Sequence, residues 1–144
     1  MAVFFTRRGA PPTFIETVAI TQSNVNSYFT VTNGSYYFAG NGSKFAANNC
    51  GVNSSTATTT LTALYDTDVT LDYAYVTEAS YDKFTLSAAG IALLNAVSGT
   101  ASGSKSFHLT AGQKIELKYA KDSSTHASGE KCEVSNIKIT GEFR

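Results

Sequence analysis

Residues 67–78 read TDVTLDYAYVTE, an alternation in which Val69, Leu71, Tyr73 and Tyr75 share one face while Asp68, Thr70 and Asp72 share the other. Only an extended backbone repeats its side-chain direction every second residue, so the segment is a core strand with one buried and one wetted face. Such a strand needs hydrogen-bonded neighbours and a second layer over its apolar face. The rest of the sequence supplies candidates. TVAITQ (17–22) and SYFTV (27–31) alternate, and Asn33-Gly34 and Asn41-Gly42 bracket SYYFAG as hairpin turns. GVNSSTATTTLTA (51–63) reads as an edge or half-exposed strand rather than a disordered tract, because Thr alternates with Ala and Leu. Ile115, Leu117 and Tyr119 alternate against Glu116 and Lys118, TAGQ makes a turn before them, and Val134, Ile137 and Ile139 mark a last core strand. The one helix candidate, AAGIALLNAV (88–97), is short and carries Gly90, which favours a strand or bulged turn.

Turn signals recurring over about nine strands describe an all-β fold, a single jelly-roll-like two-sheet antiparallel β-sandwich. At 144 residues the chain holds one domain with a real core. Ahead of it, FFTRRGAPP (4–12) contains the only paired arginines and paired prolines, so residues 1–16 are expected to be an extended N-terminal arm and 17–144 the sandwich. Pro11 and Pro12 stiffen the arm toward polyproline geometry, Phe4 and Phe5 offer apolar anchors, and Arg7 and Arg8 offer forked donors to carboxylates. The competing reading makes Phe4 and Phe5 a first strand of the sandwich, with the arginines solvated.

Eleven basic residues balance eleven acidic ones, so no overall field attracts nucleic acid or an anionic membrane. No segment approaches a membrane span, and the expectation is neither a nucleic-acid nor a membrane partner. Cys50 and Cys132 lack CxxC spacing, so metal is not expected; they either form a disulfide across the sandwich or are two small reduced residues, the second being slightly favoured.

Catalytic residues and cofactors are not expected, and the sequence reads as non-enzymatic. His108 sits in the strand-like SFHLT and His126 in a Ser/Thr-rich loop, neither with an evident acid partner. Asp66, Asp68, Asp82 and Asp122 read as turn formers, ahead of a calcium site built from Asp122 and Glu130. The eight tyrosines are the informative feature: they cannot all be buried, and exposed ones stack on sugar rings or pack on neighbouring subunits. Tyr36 and Tyr37 are adjacent, so one should face outward, and with Tyr81 they sit beside turns where sandwich loops gather. Asn33, Asn41 and Asn53 each begin an Asn-x-Ser sequence, two of them explained by the turn that Asn-Gly forms.

VTLDYAYVTEASYDKFTL together with LTAGQKIELKYAKDSSTHASGEKCEVSNIKI resembles a β-sandwich module of bacterial and phage surface proteins, related in style to MAM and carbohydrate-binding jelly rolls. Ser106-Phe107 and Glu130 to Ser135 depart from that module's tryptophan and aspartate pair. The opening MAVFFTRRGAPP resembles the TRRG.PP leader of short virion proteins of tailed phages. Together these resemblances imply a virion accessory protein: a capsid decoration, head-fibre or tail-appendage subunit docking through its arm onto other virion proteins, as a homo-oligomer, and located in the virion. The alternative they imply is a lectin-like adhesion module for host-surface glycan.

Overall fold

The computed structural model describes residues 14–143; Phe4, Phe5, Arg7, Arg8, Pro11 and Pro12 lie outside them. Eleven strands are assigned among the described residues: β1 Glu16–Ala19, β2 Phe29–Asn33, β3 Phe38–Ala39, β4 Lys44–Ala47, β5 Thr56–Ala63, β6 Thr67–Val76, β7 Lys83–Ala88, β8 Ile91–Val97, β9 Thr100–Leu109, β10 Lys114–Ala120 and β11 Lys131–Gly141. One sheet runs β3-β4-β11-β6-β9, with β1 also pairing β11, and the other runs β2-β5-β10-β7-β8. All these pairings are antiparallel. The fold is the two-sheet antiparallel sandwich that the alternation implied, with 88–97 a hairpin and strand rather than a helix.

Eleven strands stand where the sequence suggests about nine, two of them, β1 and β4, sharing one edge of β11. β4 pairs its first part (Glu133–Ser135) and β1 its last part (Lys138–Gly141). Between them the register against β6 slips by one residue, and Asn136 stands at φ +51°. That bulge switches which residues point inward, from Cys132 and Val134 to Ile137 and Ile139, so both halves of the strand bury their apolar side chains.

The core lies between the sheets. Val69 and Leu71 on β6 face Leu61 on β5, Phe84 and Leu86 on β7, and Ile115, Leu117 and Tyr119 on β10, all at 2% exposure or less. Burying each such side chain contributes about 1.5–3 kcal/mol. The loops after β4, β6 and β10 emerge at one end of the sandwich. The β5–β6 and β9–β10 loops, the start of β1 and the end of β11 gather at the other. At this second end Tyr28, Tyr65 and Phe143 pack edge to face, with Phe143 centred 5.3 Å from Tyr28 and 5.4 Å from Tyr65.

Candidate functional site

The edge strands β2 and β3–β4 belong to different sheets and flank a cavity of about 270 Å³. Its floor is Val25, Phe38 and Phe45, all buried, with Val31 half-buried beside them. Its rim carries Gln22, Asn26, Asn33 and Tyr37. The backbone passes from one sheet to the other at residues 34–37, and polar side groups fix that passage. The Thr59 hydroxyl donates to Asn33 Oδ1 (2.8 Å) and accepts from the Phe38 amide (2.8 Å). Asn48 Oδ1 accepts from the Tyr37 amide, and the Asn48 amide returns a bond to the Tyr37 carbonyl. Tyr37 is thereby held at the slot with 36% of its surface exposed, while Tyr36 lies half-buried in a bridge to Ala57. Asn26 is exposed and makes no hydrogen bond to the described residues, so its amide is available to a ligand. An apolar floor, an exposed phenol and a rim of amides suit a molecule with both C–H faces and hydroxyl groups.

The loops at the first end close over an ionic cluster. Lys121 continues the inward series of Ile115, Leu117 and Tyr119, and Asp82 leads the inward series of Phe84, Leu86 and Ala88, so both point into the sandwich. The Lys121 ammonium, fully buried, donates to Asp82 Oδ2 (2.8 Å), itself fully buried, and to Glu130 Oε2. Glu130 also accepts from the Tyr119 hydroxyl and the Gly51 amide, and Asp82 Oδ1 accepts from the Asp122 amide (3.0 Å). Burial pushes the Lys121 ammonium toward neutrality and is outweighed by its bonds to Asp82 and Glu130, which hold its pKa above the usual lysine value. Burial likewise pushes the Glu130 carboxyl up, but donation from Lys121, Tyr119 and Gly51 brings it below the ordinary range. Burial, with the bond to Glu130, pushes the Tyr119 phenol well up.

Asp82 therefore does more than form a turn, whereas the Asp122 carboxylate accepts from the Ser124 amide at 3.2 Å as a turn former does, and Glu130 is committed to Lys121 rather than to a cation with Asp122. Carboxylate oxygens of Glu78, Asp82 and Asp122 lie within 4.8 Å of one another and could hold a divalent ion. However, both Asp82 oxygens already accept protein donors. Burial, then the charges of Asp122 and Asp82, raise the Glu78 pKa.

The remaining sequence candidates disperse. Tyr81 is 62% exposed on the β6–β7 loop. Cys50 and Cys132 are both free thiols, Cys50 donating to the Ala47 carbonyl at 3.6 Å. Burial pushes Cys50 up to about 11 and Cys132 well above its ordinary value, so neither is an activated nucleophile. The histidines do have acid neighbours, contrary to the sequence reading: His108 Nδ1 lies 2.8 Å from Asp68 Oδ1, and His126 Nδ1 lies 3.9 Å from Glu130 Oε1. Cross-strand register explains the first, since Asp68 stands opposite His108 in the β6–β9 pair. Asp68 and His108 line a wider cavity of about 440 Å³ at the second end, with Tyr65, Asp66 and Glu142.

No protein-family model and no curated protein matches this sequence. Among solved structures it is similar to the CBM35 from Cellvibrio japonicus Abf62 (16% identity, TM-score 0.38, covering 88% of this chain and 94% of that one). It is also similar to a family 35 carbohydrate binding module from Clostridium thermocellum (11%, 0.39, covering 86% and 97%). A third is the GH26-CBM35 β-(1,4)-mannanase of Podospora anserina (14%, 0.36, covering 88% of this chain and 28% of that one).

Proposed function

We propose that the sandwich is a non-catalytic carbohydrate-binding module whose ligand lies in the slot between β2 and β3–β4. The observation that carries this reading is the rim. Tyr37 is fixed at the slot by a reciprocal pair of bonds with Asn48, and Asn26 and Asn33 stand beside the same apolar floor. The bonds hold the Tyr37 backbone at the slot and leave its exposed ring beside the floor, where an aromatic face stacks on a sugar and amides pair with hydroxyls. Affinity electrophoresis against bacterial cell-surface polysaccharides tests it. Tyr37→Ala and Asn26→Ala should each weaken binding about tenfold, near 1.4 kcal/mol, while leaving the unfolding midpoint nearly unchanged. A parent protein that binds no glycan, or variants that bind as the parent does, would overturn it.

A second reading, a virion accessory subunit attached by its N-terminal segment, is favoured by one feature. Phe14 and Ile15 are 47% and 66% exposed where the backbone enters β1, at the end opposite the β4, β6 and β10 loops. An apolar attachment there leaves the first end facing outward. A chain carrying Phe14→Ser and Ile15→Ser should fold and keep glycan binding yet fail to co-purify with phage particles that carry the parent protein; equal recovery of the two defeats this reading.

A further inference from the structure

The tripeptide Asn-Gly-Ser occurs twice, at 33–35 and at 41–43, and the fold treats the two copies differently. In the first, Asn33 Oδ1 accepts the Thr59 hydroxyl and the Gly34 amide donates to the Thr58 carbonyl at 3.0 Å. Gly34 is also pressed against β5, where an added Cβ would stand 2.4 Å from Thr58 Oγ1. In the second, Asn41 is exposed in the turn between β3 and β4, and neither its carboxamide nor the Gly42 amide bonds to the described residues. Gly42 sits at φ +60° with nothing within 4 Å of a Cβ built on it.

We propose that Asn41 is a site of spontaneous covalent modification, deamidation through a succinimide, and that Asn33 is protected from it by the fold. The Gly42 backbone nitrogen loses its proton and attacks the carboxamide carbon of Asn41. A new bond forms between that nitrogen and that carbon, the bond from the same carbon to Nδ2 breaks, and ammonia leaves. Water then opens the five-membered ring at one carbonyl or the other, giving aspartate or isoaspartate. The step consumes water alone and needs no oxidant. At Asn33 the same attack requires the Gly34 amide to leave Thr58 and the carboxamide to leave Thr59, so two ordinary hydrogen bonds must open first. This slows it on the order of tenfold or more.

The change reaches the slot. The Gly42 carbonyl accepts the Gln22 amide at 2.9 Å, and Gln22 is part of the rim. Isoaspartate adds a methylene to the backbone of the residue before Gly42 and leaves a carboxylate in the turn. On the carbohydrate reading above, the aged protein then binds its glycan more weakly, whereas the modification itself is independent of that reading.

The native protein is incubated at mildly alkaline pH, sampled over time and mapped by peptide mass spectrometry, with isoaspartyl methyltransferase labelling. The same is done in denaturing urea. The expected result is conversion at Asn41 at least about tenfold faster than at Asn33 in the native protein, and similar rates at the two sites in urea. Equal native rates, faster conversion at Asn33, or a difference that persists in urea would overturn the proposal. Glycan binding by the aged sample is measured separately, so a failure there bears on the slot and not on the chemistry.

Discussion

The two ends of the sandwich are closed by opposite means. One is covered by aromatic rings, Phe143 set edge to face against Tyr28 and Tyr65, which need no particular charge state. The other is tied by the fully buried Lys121 to Asp82 and Glu130, drawing the β6–β7 and β10–β11 loops together with the segment after β4 through Gly51. Ring packing tolerates small displacements. A buried ion network does not, because each charge has given up its water and depends on its partners. The ionic end therefore holds its loops in one arrangement, and its stability is tied to pH.

The sharpest way to break this comparison is to remove the central cation. Lys121→Ala leaves Asp82 and Glu130 facing each other without compensation and should cost about 3–5 kcal/mol, read as a large fall in the urea midpoint. If the midpoint barely moves, water enters this end and the network is not the closure. Phe143→Ala should cost less, about 2 kcal/mol, because the ring is half-buried and only its two edge contacts and partial burial are lost.

Acid sharpens the contrast. The Glu130 carboxyl is held below its ordinary value of 4.5, so its contribution is present above that pH and is lost as pH falls through the lower, folded value. Phe143→Ala should keep this acid sensitivity, whereas Lys121→Ala should flatten it; urea unfolding between pH 3 and 7 measures both. The smallest effect is expected at Glu78. Its raised pKa means the folded state keeps a proton the unfolded state has released, so stability declines as pH rises from about 4.5 through the folded value. Glu78→Gln should raise the midpoint slightly at pH 7 and leave it unchanged in acid. A fall at pH 7 would show that the charged carboxylate is needed.

The apolar alternation of β6 and β10 was legible because a period of two is local information. So was the bulge in β11, in retrospect: Val134 followed by Ile137 and Ile139 changes parity, and a strand that buries all three must contain an extra residue. The ionic cluster was missed for a different reason. Asp, Lys and Glu read as surface types, and Asp82 and Lys121 are 39 residues apart. Yet each falls in phase with its own strand's inward series, a signal that residue type obscured. Phase required one of the adjacent Tyr36 and Tyr37 to face outward without choosing between them, and it is Tyr37 that is exposed. The slot it borders was not legible, because the alternation of β2 and β3 does not show that residues 34–37 carry the backbone from one sheet to the other. The two Asn-Gly-Ser copies were indistinguishable by sequence, since what separates them is a partner strand.

β1 and β11 carry one further implication. Glu16 stands directly opposite Gly141, and the antiparallel rungs then run through Thr17–Thr140 and Val18–Ile139 to Ala19–Lys138. Tension applied through the backbone at both ends of this pair converges on a single rung. The load would part Glu16 from Gly141 first and travel inward one hydrogen-bonded step at a time, as a zipper opens, instead of shearing all the rungs together. However stable the core, this seam would yield to a modest mechanical pull.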